Sequence, residues 1–215
     1  MPVGNTTLTW VEQFPLVMGV ASDSAQAGRV LRDGADIVDL GRASGALLRE
    51  LRHTHAGVPL AVDVAGVSDA AARVRELAGA GADLVYATGG SMERELAVLA
   101  AESGAAVVCS PGEVEWLRAE GVARVFVTPG WRQSASARTL RWGRELADGD
   151  WPVLLTVSDG DAENGPDTIA AAALAAMAGV RVLRTDRVTE TRRTVDMIAS
   201  IAGTRQPARV RRALA

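Results

Sequence analysis

Not one lysine occurs among the 215 residues, so all 23 basic side chains are arginine. That excludes a lysine Schiff base, a phosphate-loop lysine and a lysine general base. Cysteine is almost as scarce: Cys109 stands alone, which excludes an intrachain disulfide and a cysteine-based zinc cluster. Aromatic residues make up only 4%, so the core must be built from Val, Leu, Ile and Ala. Parallel strands covered by Ala-rich helices have this composition. Excess positive charge is also absent. The formal net charge of −3 gives nucleic acid and anionic membranes no basic field to meet. Arg205, Arg209, Arg211 and Arg212 crowd the C-terminus and read as a solvated end rather than a binding arm. Met1 to Trp10 lacks the pattern of a signal peptide, and no uninterrupted apolar run reaches membrane-spanning length. The expectation is a soluble, cytoplasmic protein.

What the chain does contain is repetition. Hydrophobic residues make up 48%, and no polar or Pro-rich linker divides them, so residues 1–215 read as a single domain. Eight short apolar runs are predicted strands: Leu16–Val20, Ile37–Leu40, Leu60–Val62, Leu84–Tyr86, Ala106–Cys109, Val125–Val127, Val153–Val157 and Val180–Leu183. Helical spacing fills the gaps. One helix is expected after a Ser68 cap, one over Met92 to Ser103, and a nearly all-apolar one over Thr168 to Ala178. A helix apolar all round needs burial on more than one side, which points to a second copy of the chain. "RDGADIVDLG", "GAGADLVYAT" and "AMAGVRVLRT" each end a helix at glycine and start the next strand two or three residues later. Such βα units allow a closed barrel or an open doubly wound sheet. "MGVASDSAQAG" lacks the glycine spacing that cradles a pyrophosphate in the open sheet. The fold class is therefore α/β, a single (β/α)8 TIM barrel with minimal loops, at about 27 residues per unit.

In such barrels chemistry sits at the C-terminal ends of the strands. Those ends carry Ser22 and Asp23, Asp39, Asp63, Thr88, Cys109 and Ser110, Thr128, Ser158 and Asp159, then Arg184, Thr185 and Asp186. Asp39 suits a backbone contact at a strand end as well as it suits a ligand. Asp63 stands alone at a strand exit and favours a ligand role. Arg184 suits bidentate binding of phosphate or carboxylate, or else an internal ion pair with Asp186 or Asp39. Cys109 reads as a small buried hydrophobe rather than a nucleophile. His53 and His55 fall near the end of the second helix, on the opposite rim, where they meet the helix dipole's negative end.

These residues resemble a known family. "PLVMGVASDS" is similar to a shortened first-strand motif of the dihydropteroate synthases. "DGADIVDLG", "VPLAVDV" and "AGADLVYAT" resemble their second to fourth strands, and "WPVLLTVSDGD" their seventh. "AMAGVRVLRTDRVTETRRTVDMIASIAGTR" resembles the last strand and helix. The resemblance runs in order over nearly the whole chain. It implies a pterin-binding barrel related to a transferase of folate synthesis, which joins a pterin diphosphate to p-aminobenzoate and releases pyrophosphate. It also implies ligand-binding roles for Asp63, Asp39 and Arg184 and for Asp186, which takes the place of the family's last-strand histidine.

The departures from the family pattern are many. The first-strand asparagine near magnesium and phosphate has no counterpart in "GVASDS", so the family's magnesium site is expected to be lost and no cofactor to be required. Tyr86 replaces the fourth-strand asparagine, Thr128 the sixth-strand aspartate, and Gly160 the seventh-strand lysine. Asp186 would repel a phosphate. The long loops after the first and second strands are cut to a few residues. Each lost buried hydrogen-bond partner costs about 1–3 kcal/mol, so the family's condensation is not expected at a useful rate. The expected function is a dihydropteroate synthase-like barrel that binds a pterin or related heterocycle without that reaction. The alternatives are a non-catalytic paralogue acting as a binding or partner protein, and a weak or altered-specificity synthase. Catalytic residues stay unassigned. The implied partners are a small heterocycle and a second copy in a homodimer.

Overall fold

Eight strand–helix units follow one another along the chain. The computed structural model describes residues 15–88, 93–130, 137–149, 151–158 and 165–205. The first half comprises β1 (Leu16–Val20), α1 (Ser24–Arg32), β2 (Ile37–Asp39), α2 (Gly45–Thr54), β3 (Leu60–Asp63), α3 (Ala70–Gly79), β4 (Leu84–Tyr86) and α4 (Arg94–Glu102). The second comprises β5 (Ala106–Cys109), α5 (Val114–Ala119), β6 (Val125–Val127), α6 (Ala137–Asp148), β7 (Leu154–Thr156), α7 (Gly165–Met177), β8 (Val182–Thr185) and α8 (Val188–Ile201). All ladders are parallel, in the order β6-β5-β4-β3-β2-β1-β8-β7. One bridge, Val127 to Val153, joins the two ends, and the Val127 N–H donates to the Pro152 carbonyl at 3.0 Å. The chain is a nearly closed (β/α)8 barrel.

Capping residues start the helices where the sequence supplies short polar side chains. Asp23 accepts from the Gln26 N–H at 2.7 Å, and Ser44 from the Leu47 N–H at 3.2 Å. The cap of α3 is Asp69 rather than the expected Ser68; its carboxylate reaches the Ala72 N–H at 2.8 Å. Helix α4 starts at Arg94, and Met92, part of the helix expected there, lies outside the described residues. Strand β8 begins two residues later than the apolar run does, at Val182.

Two of the repeated junctions share a device at the lower rim, where the strands begin. Gly34 and Gly81 have φ of 103° and 102°, in the left-handed region open to glycine. A Cβ at Gly34 would come within 2.8 Å of Arg192, and one at Gly81 within 2.8 Å of Arg52. Two residues further on, Asp36 accepts from the Val17 N–H and from Arg192, each at 2.8 Å. Asp83 likewise accepts from the Leu60 N–H at 2.8 Å and pairs with Arg52. Each aspartate thus ties its own strand to the start of the preceding one.

The core has two layers. Met18, Ile37, Ala61, Leu84, Tyr86, Ala106, Val108, Phe126, Leu154 and Val182 fill the barrel interior. The larger layer, between strands and helices, includes Val17, Val38, Val62, Val85, Val107, Leu155 and Leu183. These are the alternate residues of the same strands, as the pleat requires. Among the described residues no helix is long and apolar enough to cross a membrane.

Candidate functional site

Strand alternation decides which strand-end residues face the barrel's upper mouth. Two residues above the interior Ile37, Ala61, Leu84, Leu154 and Val182 come Asp39, Asp63, Tyr86, Thr156 and Arg184. The parallel register sets Asp63 beside Tyr86 and Thr156 beside Arg184. Cys109 and Thr185 fall on the other parity. Cys109 belongs to the layer under the helices, and burial pushes its thiol up to about 12, with Glu113 adding to the shift. Thr185 meets the hydroxyl of Thr191 on α8 at 3.2 Å. Asp23 is the cap of α1, so it too leaves the ring of ligand candidates. Asp159 lies outside the described residues.

At the centre of the mouth Asp39, fully buried, gathers three donors. Its Oδ2 accepts from Arg184 Nε at 2.7 Å, and its Oδ1 accepts from the Tyr86 hydroxyl and from the Gly41 N–H at 3.0 Å. Arg184 and Tyr86 thus meet on the same carboxylate, which joins the three residues in one network. Of the two readings of Asp39, the backbone contact forms, to the Gly41 N–H. The internal ion pair that was one alternative for Arg184 forms with Asp39 and not with Asp186. Burial works against the Arg184 charge, but Asp39 outweighs it and the guanidinium's pKa is raised. Burial, followed by the Asp39 charge, pushes the Tyr86 hydroxyl well above its ordinary value.

Asp63, also buried, is held by different partners. Its Oδ1 accepts from the Ala65 N–H at 2.9 Å and the Thr88 N–H at 3.1 Å. Its Oδ2 accepts from the Thr88 hydroxyl and faces Arg42 Nε at 3.6 Å. Asp186 is exposed at the end of β8 and accepts from the Ser158 hydroxyl. Thr128 is buried and exchanges hydrogen bonds with the Gly130 backbone at 3.3 Å. His53 lies in the last turn of α2 and His55 ends it, at the opposite rim as expected.

Sequence reasoning treated Tyr86 only as a lost asparagine, yet its side chain is among the largest buried in the barrel. It also passed over Thr156, which lies one residue inside the expected strand end. No alternation in the sequence marked either one, because these strands are apolar on both faces and only the fold shows which residues turn inward.

No family model matches the chain. It is 31% identical to a Mycobacterium leprae protein named inactive dihydropteroate synthase 2, over 89% of this chain and 86% of that relative. A Mycobacterium tuberculosis protein of the same name is 29% identical over 87% of this chain and 77% of its own length. Among solved structures, Mycobacterium tuberculosis Rv1207 superposes with a TM-score of 0.77 at 29% identity, covering 96% of this chain and 97% of that one. The Yersinia pestis dihydropteroate synthase superposes at 0.73 with 24% identity, covering 88% and 93%, and shares the fold.

Proposed function

The chain belongs to the dihydropteroate synthase family, and from that premise we propose that it is a non-catalytic member. It does not condense pterin diphosphate with p-aminobenzoate, and it keeps a heterocycle-recognising acid, Asp63. The observation that carries this reading is the commitment of Arg184 to Asp39 at 2.7 Å. A site for a diphosphate leaving group needs uncompensated positive charge, and here the arginine's charge is neutralised in place. Asp186 adds an exposed negative charge at the end of the same strand. The chain has no lysine to restore the balance. The name borne by the Mycobacterium relatives, inactive dihydropteroate synthase 2, agrees with this reading.

The mouth does not suit magnesium. That ion takes carboxylate or carbonyl oxygens in near-octahedral geometry. Asp39 already faces Arg184 and Tyr86, and Asp63 faces Thr88 and the backbone. The function proposed here requires no cofactor.

Asp63 is the proposed contact for a pterin-like ligand. Arg42 is 64% exposed, so its pair with Asp63 is worth roughly 0–1 kcal/mol and yields readily to a ligand N–H. Unphosphorylated pterins should bind at least as well as their phosphates. A second copy of the chain is the proposed protein partner. Ile169, Leu174 and Met177 on α7 and Met197 and Ile201 on α8 are exposed large apolar side chains on two helices packed together. A cytoplasmic location belongs to the same proposal.

Purified protein given pterin diphosphate, p-aminobenzoate and magnesium should form no dihydropteroate above background. Turnover of about 1 s⁻¹ or faster would overturn the non-catalytic reading. By calorimetry, Asp63→Asn should weaken pterin binding while the fold survives. A wild type that clearly prefers the phosphorylated ligand would refute the reading of the mouth. The alternative of a weak transferase gains no support from the geometry.

A further inference from the structure

Methionine is unevenly placed in this chain. Of the three methionines among the described residues, Met18 is fully buried in the barrel interior, whereas Met177 and Met197 are 72% and 52% exposed. Both exposed ones belong to the apolar face that α7 and α8 present together. Met177 closes α7 and has the exposed Leu174 one turn before it; Met197 on α8 has the exposed Ile201 one turn after it. Spacings of three and four put each pair on one face of its helix. Each of these two sulfurs therefore sits in an aliphatic stripe that is open to solvent. Cys109 offers no competing site. It is buried and its thiol is pushed up to about 12, so almost none of it is thiolate near neutral pH.

We propose that Met177 and Met197 form a reversible oxidation site through which a hydroperoxide releases the second copy of the chain. The inference rests on the second copy proposed above and adds what regulates its binding. In each event a sulfur lone pair attacks one oxygen of the peroxide, and the S–O bond forms as the O–O bond breaks. The sulfur is oxidised by two electrons to the sulfoxide. The peroxide is reduced, and its second oxygen leaves as water after taking up the proton that the bound oxygen sheds. The product is a polar group in place of an apolar one. On a free surface water meets the new oxygen, and little changes. Against an apolar partner surface the oxygen loses that water and gains no donor. In a symmetric pair both residues count twice. The reaction takes place on the separated chain, whose sulfurs are open, and it stops that chain from pairing again. Sulfoxide reductases reverse this step, so the loss is recoverable.

Hydrogen peroxide added to the full chain tests the proposal, read by peptide mass spectrometry and by sedimentation over a range of concentrations. Met177 and Met197 should each gain one oxygen well before Met18 or Cys109 is modified. The dimer dissociation constant should rise at least about tenfold, the scale of one polar group buried without a partner. Methionine sulfoxide reductases with a dithiol reductant should restore the untreated value. The variant carrying both Met177→Leu and Met197→Leu, apolar at each place but without sulfur, should give the same constant before and after peroxide. Oxidation of Met18 or Cys109 as fast as that of the exposed pair overturns the site. Unchanged self-association of chains oxidised at both positions overturns the release and leaves the second copy standing. A double variant whose association peroxide still weakens places the effect elsewhere and overturns the proposal too. A wild type that stays monomeric before any peroxide is added removes the second copy, and the oxidation switch with it.

Discussion

Two arginine–aspartate pairs mark the two ends of this barrel, and their surroundings differ more than their chemistry. At the lower rim Arg52 pairs with Asp83 and also donates to backbone carbonyls, to Gly81 at 2.9 and 2.6 Å and to Val58 at 2.6 Å. Asp83 in turn holds the Leu60 N–H. That pair stitches α2, the start of β3 and the turn before β4 into one unit. At the upper mouth Arg184 and Asp39 are joined chiefly to a third side chain, Tyr86. The lower pair secures the path of the backbone, and the upper one ties together side chains from three strands at the mouth. An ion pair's role is therefore read from what its remaining donors touch, and not from the pair itself.

The sharpest way to break the comparison is at the lower rim. Asp83→Ala leaves a half-buried guanidinium without its counter-charge, and removing one partner of a buried pair costs about 3–5 kcal/mol. Urea denaturation should show a loss of that size, and a loss below about 1 kcal/mol would mean that the pair is not structural. Gly81→Ala should follow closely, because the new Cβ would meet Arg52 at a φ of 102°. At the mouth Tyr86→Phe should cost about 1.5–3 kcal/mol at neutral pH, the worth of a hydrogen bond to a charged carboxylate, with the ring's packing kept.

Alkaline titration sharpens the contrast further. The Tyr86 hydroxyl is raised well above its ordinary 10.0, by burial first and then by the Asp39 charge. The folded state therefore holds this proton more tightly than the unfolded chain does. Its contribution is complete below pH 10 and is lost as pH rises from there towards the folded value. Cys109, raised by burial from 9.0 to about 12, loses its contribution between those two values. Stability should begin to fall near pH 9. Cys109→Ala should remove the early part of the decline and Tyr86→Phe the later part, while Asp83 variants should shift the whole curve without changing its shape. The smallest effect is expected at neither end. Arg144 and Asp148 are 3.9 Å apart and each 72% exposed, so Arg144→Ala should stay within roughly 0.5 kcal/mol of wild type.

Much of the barrel was legible in the sequence because buried parallel strands are continuous β-branched runs. Strands β1, β4, β5 and β6 have the limits that those runs give. The orientation of the strand-end residues was not legible. A shift of one residue turns a side chain from the mouth to the helices, and composition carries no record of parity. That is why Cys109 and Thr185 were expected in the ring and Thr156 was not. The Tyr86 contact with Asp39 spans 47 positions, and no local pattern announces it. The lower-rim acids did leave a trace: "GADIVDL" and "GADLVYA" repeat the aspartate as well as the glycine, and only the glycine was read.

The seam between β6 and β7 gives the barrel a direction in which to yield. Seven ladders run around the cylinder, and among the described residues one bridge closes the eighth gap. A hoop fastened at one point opens there first, so the Val127 amide should exchange with solvent faster than the amides of β3 and β4 on the far side. Opening would expose two sheet edges, the usual template for pairing with another chain. Both edges, Val125–Val127 and Leu154–Thr156, are only three residues long. A foreign strand would find few backbone groups to grip, so the barrel can open at its weakest point without offering much purchase for aggregation.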